Sequence, residues 1–152
     1  MNKFDPIKLT SYESDFALWA AEQGTLLREG RLDRLDLENL AEEIESLGIS
    51  NKRQIESRMA ILLMHLLKWY YQPEFRCGSW RSTIHEQRRR IARVVRDSPS
   101  LKHYPSEILS DEYSSAREKA AMETTVFLDL IPTACPYTIE QVLDPDFLPG
   151  QN

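Results

Sequence analysis

Residues 51–71 constrain the fold of this chain more than any other segment. After Ser50, a residue type that caps helices, they begin as an amphipathic helix, and from Met59 to Tyr71 they turn apolar on nearly every side. A helix of that kind needs neighbours all round it. The run Met59 to Leu67, interrupted by His65, is about half the length of a membrane span, so those neighbours are expected to be other helices. Pro73 closes the segment.

The flanking sequence supplies the neighbours. Thr10-Ser11-Tyr12-Glu13 has a capping-box pattern, and Tyr12, Phe16, Trp19, Ala20, Gln23 and Leu27 then recur at helical spacing before Gly30. Asp33 or Asp36 is positioned to cap a second helix with Leu37, Leu40, Ala41, Ile44 and Leu47 in one stripe, which Gly48 is expected to end. A fourth helix runs from Ser79 or Trp80 to Asp97, with Trp80, Ile84, Ile91, Val94 and Val95 inward and arginines around the rest. Past Ser98-Pro99 and Tyr104-Pro105, a fifth is expected from about Ser106 to Thr125, turning Ile108, Leu109, Tyr113, Ala116, Ala120 and Met122 to the core. Between Val126 and Ile131, extended chain and a half-turn compete. Thr138 to Gln141 repeats the capping-box pattern, and Phe147 is placed to anchor the tail. No strand-length alternation stands out. The expectation is an all-α fold in which residues 1–152 form one domain, ordered from about 10 to 149 with extended termini. It is a bundle of four to six helices with a short helical C-terminal tail.

At 152 residues such a domain buries a sizeable core without staples. A formal charge of −5 argues against wholesale binding to nucleic acid or anionic membrane. Cys77 and Cys135 are too few and too far apart for a disulfide framework or a zinc site, which suits reduced thiols and a cytoplasmic location. Met1 to Pro6 has no basic stretch leading into an apolar one, so no secretory signal is expected there.

Charge is distributed in blocks. Residues 36–47 carry five carboxylates and no basic side chain, whereas 77–98 carry six arginines against Glu86 and Asp97. Glu38, Glu42 and Glu45 fall at i, i+4 and i+7, one stripe of a helix; such a stripe holds Mg²⁺ or Mn²⁺ only if a facing helix adds acids, and otherwise it is a solvated face. Arg89, Arg93 and Arg96 share one face of the next charged helix, and Arg81, His85 and Arg88 share another. Guanidinium forks suit phosphate and carboxylate equally, so nucleic-acid binding and salt bridging are both readings of 80–96. His65, the one polar side chain in the middle of Met59 to Leu67, reads as a neutral imidazole at the core edge or as a general base or ligand paired with a glutamate of the second helix. No P-loop, Gly-x-Gly-x-x-Gly or Gly-x-Ser-x-Gly motif is present.

Several of these segments together resemble a known family: Leu35 to Gly48, His65 to Trp69, Ser79-Trp80-Arg81, Glu86 to Ile91, Asp97 to Leu101, and Cys135-Pro136-Tyr137-Thr138 with Leu143 to Phe147. The resemblance, unbroken from about Tyr12 to Pro149, is to the uncharacterised bacterial family catalogued as domain of unknown function twenty-nine. It implies a compact all-α fold and no activity, so no residue role is carried over. The segments it marks suggest a charged cluster of Glu38, Glu42, Glu45, His65, Trp80, Arg81 and Arg88. The leading expectation is a non-enzymatic interaction module acting through a protein partner or self-association, with no cofactor and no membrane contact. The alternatives are a phosphate-processing enzyme using Mg²⁺ or Mn²⁺ on Glu38, Glu42 and Glu45, of nucleotide pyrophosphatase or nuclease type, and a nucleic-acid-binding protein working through 80–96. Under the leading reading, Arg88→Ala and Glu42→Ala are both expected to lower the melting temperature.

Overall fold

A computed structural model describes residues 8–151; the segment Met1 to Pro6 lies outside the described residues. Among the described residues there are five α-helices and no strand: α1 (Phe16–Arg28), α2 (Leu37–Tyr71), α3 (Gly78–Asp97), α4 (Tyr104–Glu123) and α5 (Ile139–Leu143), joined by single 3₁₀ turns. Among the described residues no helix is long and apolar enough to cross a membrane. The chain divides within α2 into two compact units, one up to Gly48 and one from Ile49 onward.

In the first unit, α1 starts later than Thr10 suggests. Asp15 is its N-cap, accepting from the Leu18 N–H at 3.0 Å. The Thr10 backbone N–H and hydroxyl instead donate to the two carboxylate oxygens of Glu22, at 2.7 and 2.9 Å, so the hydroxyl never reaches Glu13's turn. The stop at Gly30 is as expected. With φ of 71° it lets its own N–H reach Leu27 O and the Arg31 N–H reach Leu26 O, the paired bonds that close a helix through a left-handed residue. Trp19 is buried with its indole N–H on Asp36 at 3.1 Å, and Gln23 Oε1 accepts from the Asp36 backbone N–H at 2.8 Å. Asp36 in turn caps α2, leaving Asp33 to a 3₁₀ turn.

The expected stop at Gly48 and restart at Ser50 do not occur: α2 is one helix of 35 residues. Gly48 has no positive φ, and a glycine inside a helix costs only about 1 kcal/mol relative to alanine, less than breaking and re-capping the chain. Most of the leucine stripe ahead of it faces outward. Leu37, Ile44 and Leu47 are 68, 65 and 69% exposed.

The second unit is built around α2 as its composition requires. Ile55, Met59, Leu62, Leu63, Leu66 and Leu67 are fully buried against Ile84 and Ile91 of α3, Tyr113, Ala116 and Ala120 of α4, Ile131, and Val142 of α5. α4 begins at Tyr104 rather than Ser106, because Pro105 in a first turn gives up a backbone donor that has no helical partner anyway. Met122 is not a core residue; it is 81% exposed. After α4 the half-turn prevails over extended chain, as a 3₁₀ turn at Leu128–Leu130. The Thr138 capping box forms in full, with Gln141 N–H on Thr138 Oγ1 at 3.2 Å and Thr138 N–H on Gln141 Oε1 at 3.0 Å. Phe147 meets the Tyr137 ring edge-to-face at 5.8 Å. Both cysteines are free.

Candidate functional site

The acidic stripe sits on the first unit. Glu38, Glu42 and Glu45 are exposed, and among the described residues no group of three or more His, Cys, Asp or Glu side chains is arranged to hold a metal ion. At about 100° per residue, Leu37, Ala41, Ile44 and Leu47 form one outward row and the three glutamates a second row alongside it. Glu43, on the other flank of the leucines, accepts from the Tyr12 hydroxyl.

The remaining expected site residues lie in the second unit and fall into two neighbourhoods. His65 is half-buried, its Nδ1 2.8 Å from Ile61 O, and burial holds its imidazole below the ordinary value near 6.5. Beside it, Lys68 pairs with Glu123 at 3.2 Å and lies 4.8 Å from the centroid of the Trp80 ring. This is a neutral imidazole at a core edge, next to a cation held by one carboxylate and one ring.

Arg88 belongs to the other neighbourhood and is 5% exposed. Its Nε–H donates to Val142 O at 2.8 Å and its Nη2 to Gln141 O at 3.4 Å, so the guanidinium closes the end of α5. Burial lowers its pKa, opposed by the charges of Asp144 and Asp146. Arg81, His85 and Arg88 line a hollow of about 480 Å³ with Pro145, Asp146 and Leu148. Arg88 was grouped with the outward arginines, yet it stands four residues after Ile84 and three before Ile91, on their own stripe.

The other arginine row lines a separate cleft of about 510 Å³ between α2 and α3. Two bonds fix the antiparallel register there: Asn51 Nδ2–H to Ser98 Oγ and Arg58 Nη1–H to Gln87 Oε1, both 3.3 Å. α3 contributes Arg89, Arg90, Arg93 and Arg96, and α2 contributes Arg58 with Asn51 and Gln54. Glu86 accepts from both Arg89 and Arg90, which pull its carboxyl down to about 2. Asp97 lies 4.0 Å from Arg93 and 3.5 Å from Arg96. The Arg58 Nε–H is buried and has no acceptor among the described residues; burial and then the nearby Arg90 charge lower its pKa, opposed by the charge of Glu86. Arg58 was not among the expected site residues. Its signal was positional, since 51, 54 and 58 share one face of α2.

Among known families, the model "Domain of unknown function DUF29" matches residues 11–148. No curated protein and no solved structure matches the chain.

Proposed function

The chain belongs to the family described as Domain of unknown function DUF29, and from that premise we propose that it is a non-enzymatic helical interaction module. Its docking face is the start of α2, and its partner is an amphipathic helix with an apolar row and a basic flank. The observation that carries this reading is the outward row of Leu37, Ile44 and Leu47, each about two-thirds exposed, with carboxylates alongside. Apolar helical rows edged by charge are the ordinary means by which helices pair, and the edge charge selects the partner. A second copy docking through the same face would set Glu38, Glu42 and Glu45 against their own kind, which disfavours self-association by this route. A cytoplasmic setting is part of the same proposal, supported by the two free thiols.

The test is a titration of a fluorescent helical peptide of leucine and lysine heptads into the full chain, with sedimentation measured in parallel. Saturable binding that the double variant Ile44→Ser, Leu47→Ser removes, in a chain sedimenting as a monomer, is the expected result. No binding would overturn the proposal. So would a concentration-dependent dimer that the same variant dissolves, which would assign the face to a second copy.

A further inference from the structure

From the cleft between α2 and α3 we infer a binding site for a small ligand carrying a chain of phosphate groups. Five guanidinium groups, Arg58, Arg89, Arg90, Arg93 and Arg96, converge there against only Glu86 and Asp97, in a chain whose formal charge is −5. Like charges at that density repel one another, and an anion in the cleft relieves the repulsion.

Two structural explanations for the arginines fall short. Cations in the last turn of a helix are favoured by its dipole, and this accounts for Arg96. It does not account for Arg58, which stands in the interior of α2 and turns its guanidinium to the same cleft. Salt bridging accounts for Arg89 and Arg90, which share Glu86. Arg93 reaches Asp97 only at 4.0 Å, and the Arg58 Nε–H has no acceptor among the described residues. A buried charged donor without an acceptor is unfavourable, so positive charge in the cleft exceeds what its own carboxylates answer.

The class of anion follows from size and lining. Arg89, Arg93 and Arg96 rise along α3 over about 10 Å, so one phosphate engages one or two forks and a chain of phosphates engages more. A cleft of about 510 Å³ is within the range of small-ligand sites, and Asn51, Gln54 and Ser98 add neutral polar groups at its wall. No aromatic side chain lines it, so there is no platform on which a base would stack. The recognised element is therefore the phosphate chain, as in a polyphosphate or the phosphate end of a nucleotide, rather than the bases of a single-stranded nucleic acid. This inference does not rest on the proposed docking face.

Isothermal titration of the full chain with inorganic orthophosphate, pyrophosphate and tripolyphosphate tests the inference directly. At low salt, affinity should rise in that order. The double variant Arg89→Ala, Arg93→Ala, whose side chains are largely exposed and whose fold should survive, should weaken tripolyphosphate binding at least about tenfold. Arg81→Ala removes the same charge from the same helix outside the cleft and should leave the affinity unchanged. If the double variant lowers the melting temperature, Arg93→Gln alone carries the test, with a smaller loss expected. ATP should bind about as tightly as tripolyphosphate. No saturable binding of tripolyphosphate at low salt, or equal weakening by Arg81→Ala, would overturn the site. An oligothymidylate binding more tightly than tripolyphosphate would overturn the ligand class in favour of nucleic acid.

Discussion

Replacing Arg88 is the perturbation whose cost can best be worked from the structure. Its guanidinium is almost wholly out of water, and it supplies the hydrogen bond at 2.8 Å that satisfies Val142 O at the end of α5. A bond from a charged donor contributes about 1.5–3 kcal/mol, and the second, to Gln141 O at 3.4 Å, adds less because it is long. In Arg88→Ala these are lost, the Val142 carbonyl is orphaned, and the volume of the side-chain stem is emptied. Against this, the unfolded chain no longer forgoes a hydrated charge on folding. The net loss should be about 2–4 kcal/mol, which in a chain of this length is a fall in melting temperature of about 5–12 °C. Arg88→Met keeps most of the stem and removes only the bonds, so it should fall between wild type and alanine. Scanning calorimetry of the three proteins at pH 7 provides the measurement. If Arg88→Met melts at or above wild type, the buried guanidinium is a net cost to the fold, and the role assigned to its carbonyl bonds is refuted. Glu42→Ala is the contrast. That carboxylate is exposed, so its removal should stay within about 0.5 kcal/mol, against the loss expected from sequence alone.

Gly48→Ala should stabilise the protein by about 0.5–1 kcal/mol in urea unfolding, because α2 is regular there and nothing lies within 4 Å of the added Cβ. Gly30→Ala should destabilise it by about 1 kcal/mol, because φ there is 71°. His65 is held neutral by burial beside Lys68 and Glu123, so the unfolded chain takes up a proton before the folded one as pH falls. The stability it contributes is therefore complete above about 6.5 and lost below it; urea midpoints at stepped pH should show this slope, and His65→Gln should flatten it. Glu86 acts lower: its folded pKa of about 2 lies beneath the ordinary 4.5, so what its arginine pairs contribute is lost only as pH falls from 4.5 toward 2. Maleimide labelling followed by mass spectrometry should modify exposed Cys77 well before Cys135, whose thiol burial pushes up.

What was legible in the sequence, and what was not, divides along physical lines. Local chemistry read well where no competitor was in reach: the Thr138 box and the Gly30 stop form as their residues dictate. It misled at Thr10, where a carboxylate twelve residues away, Glu22, took both donors that the local pattern assigned to a cap. Periodicity read well where one face meets many neighbours, as from Ile55 to Leu67. It failed from Leu37 to Leu47 because a 3.6-residue repeat gives the direction of an apolar row and not whether anything lies against it. The candidate sites show the same limit for charge. Residue type sends Arg88 outward, yet a guanidinium can be buried wherever backbone carbonyls converge on it, and which carbonyls converge on Arg88 is decided by α5, more than fifty residues away. For that reason the two basic rows of α3, Arg81, His85 and Arg88 on one side and Arg89, Arg93 and Arg96 on another, have different surroundings. Arg88 is satisfied by the carbonyls at the end of α5, while the row from Arg89 to Arg96 faces Glu86 and Asp97 with more positive than negative charge. It is on that difference in charge balance, and not on residue type, that the inferred phosphate site rests.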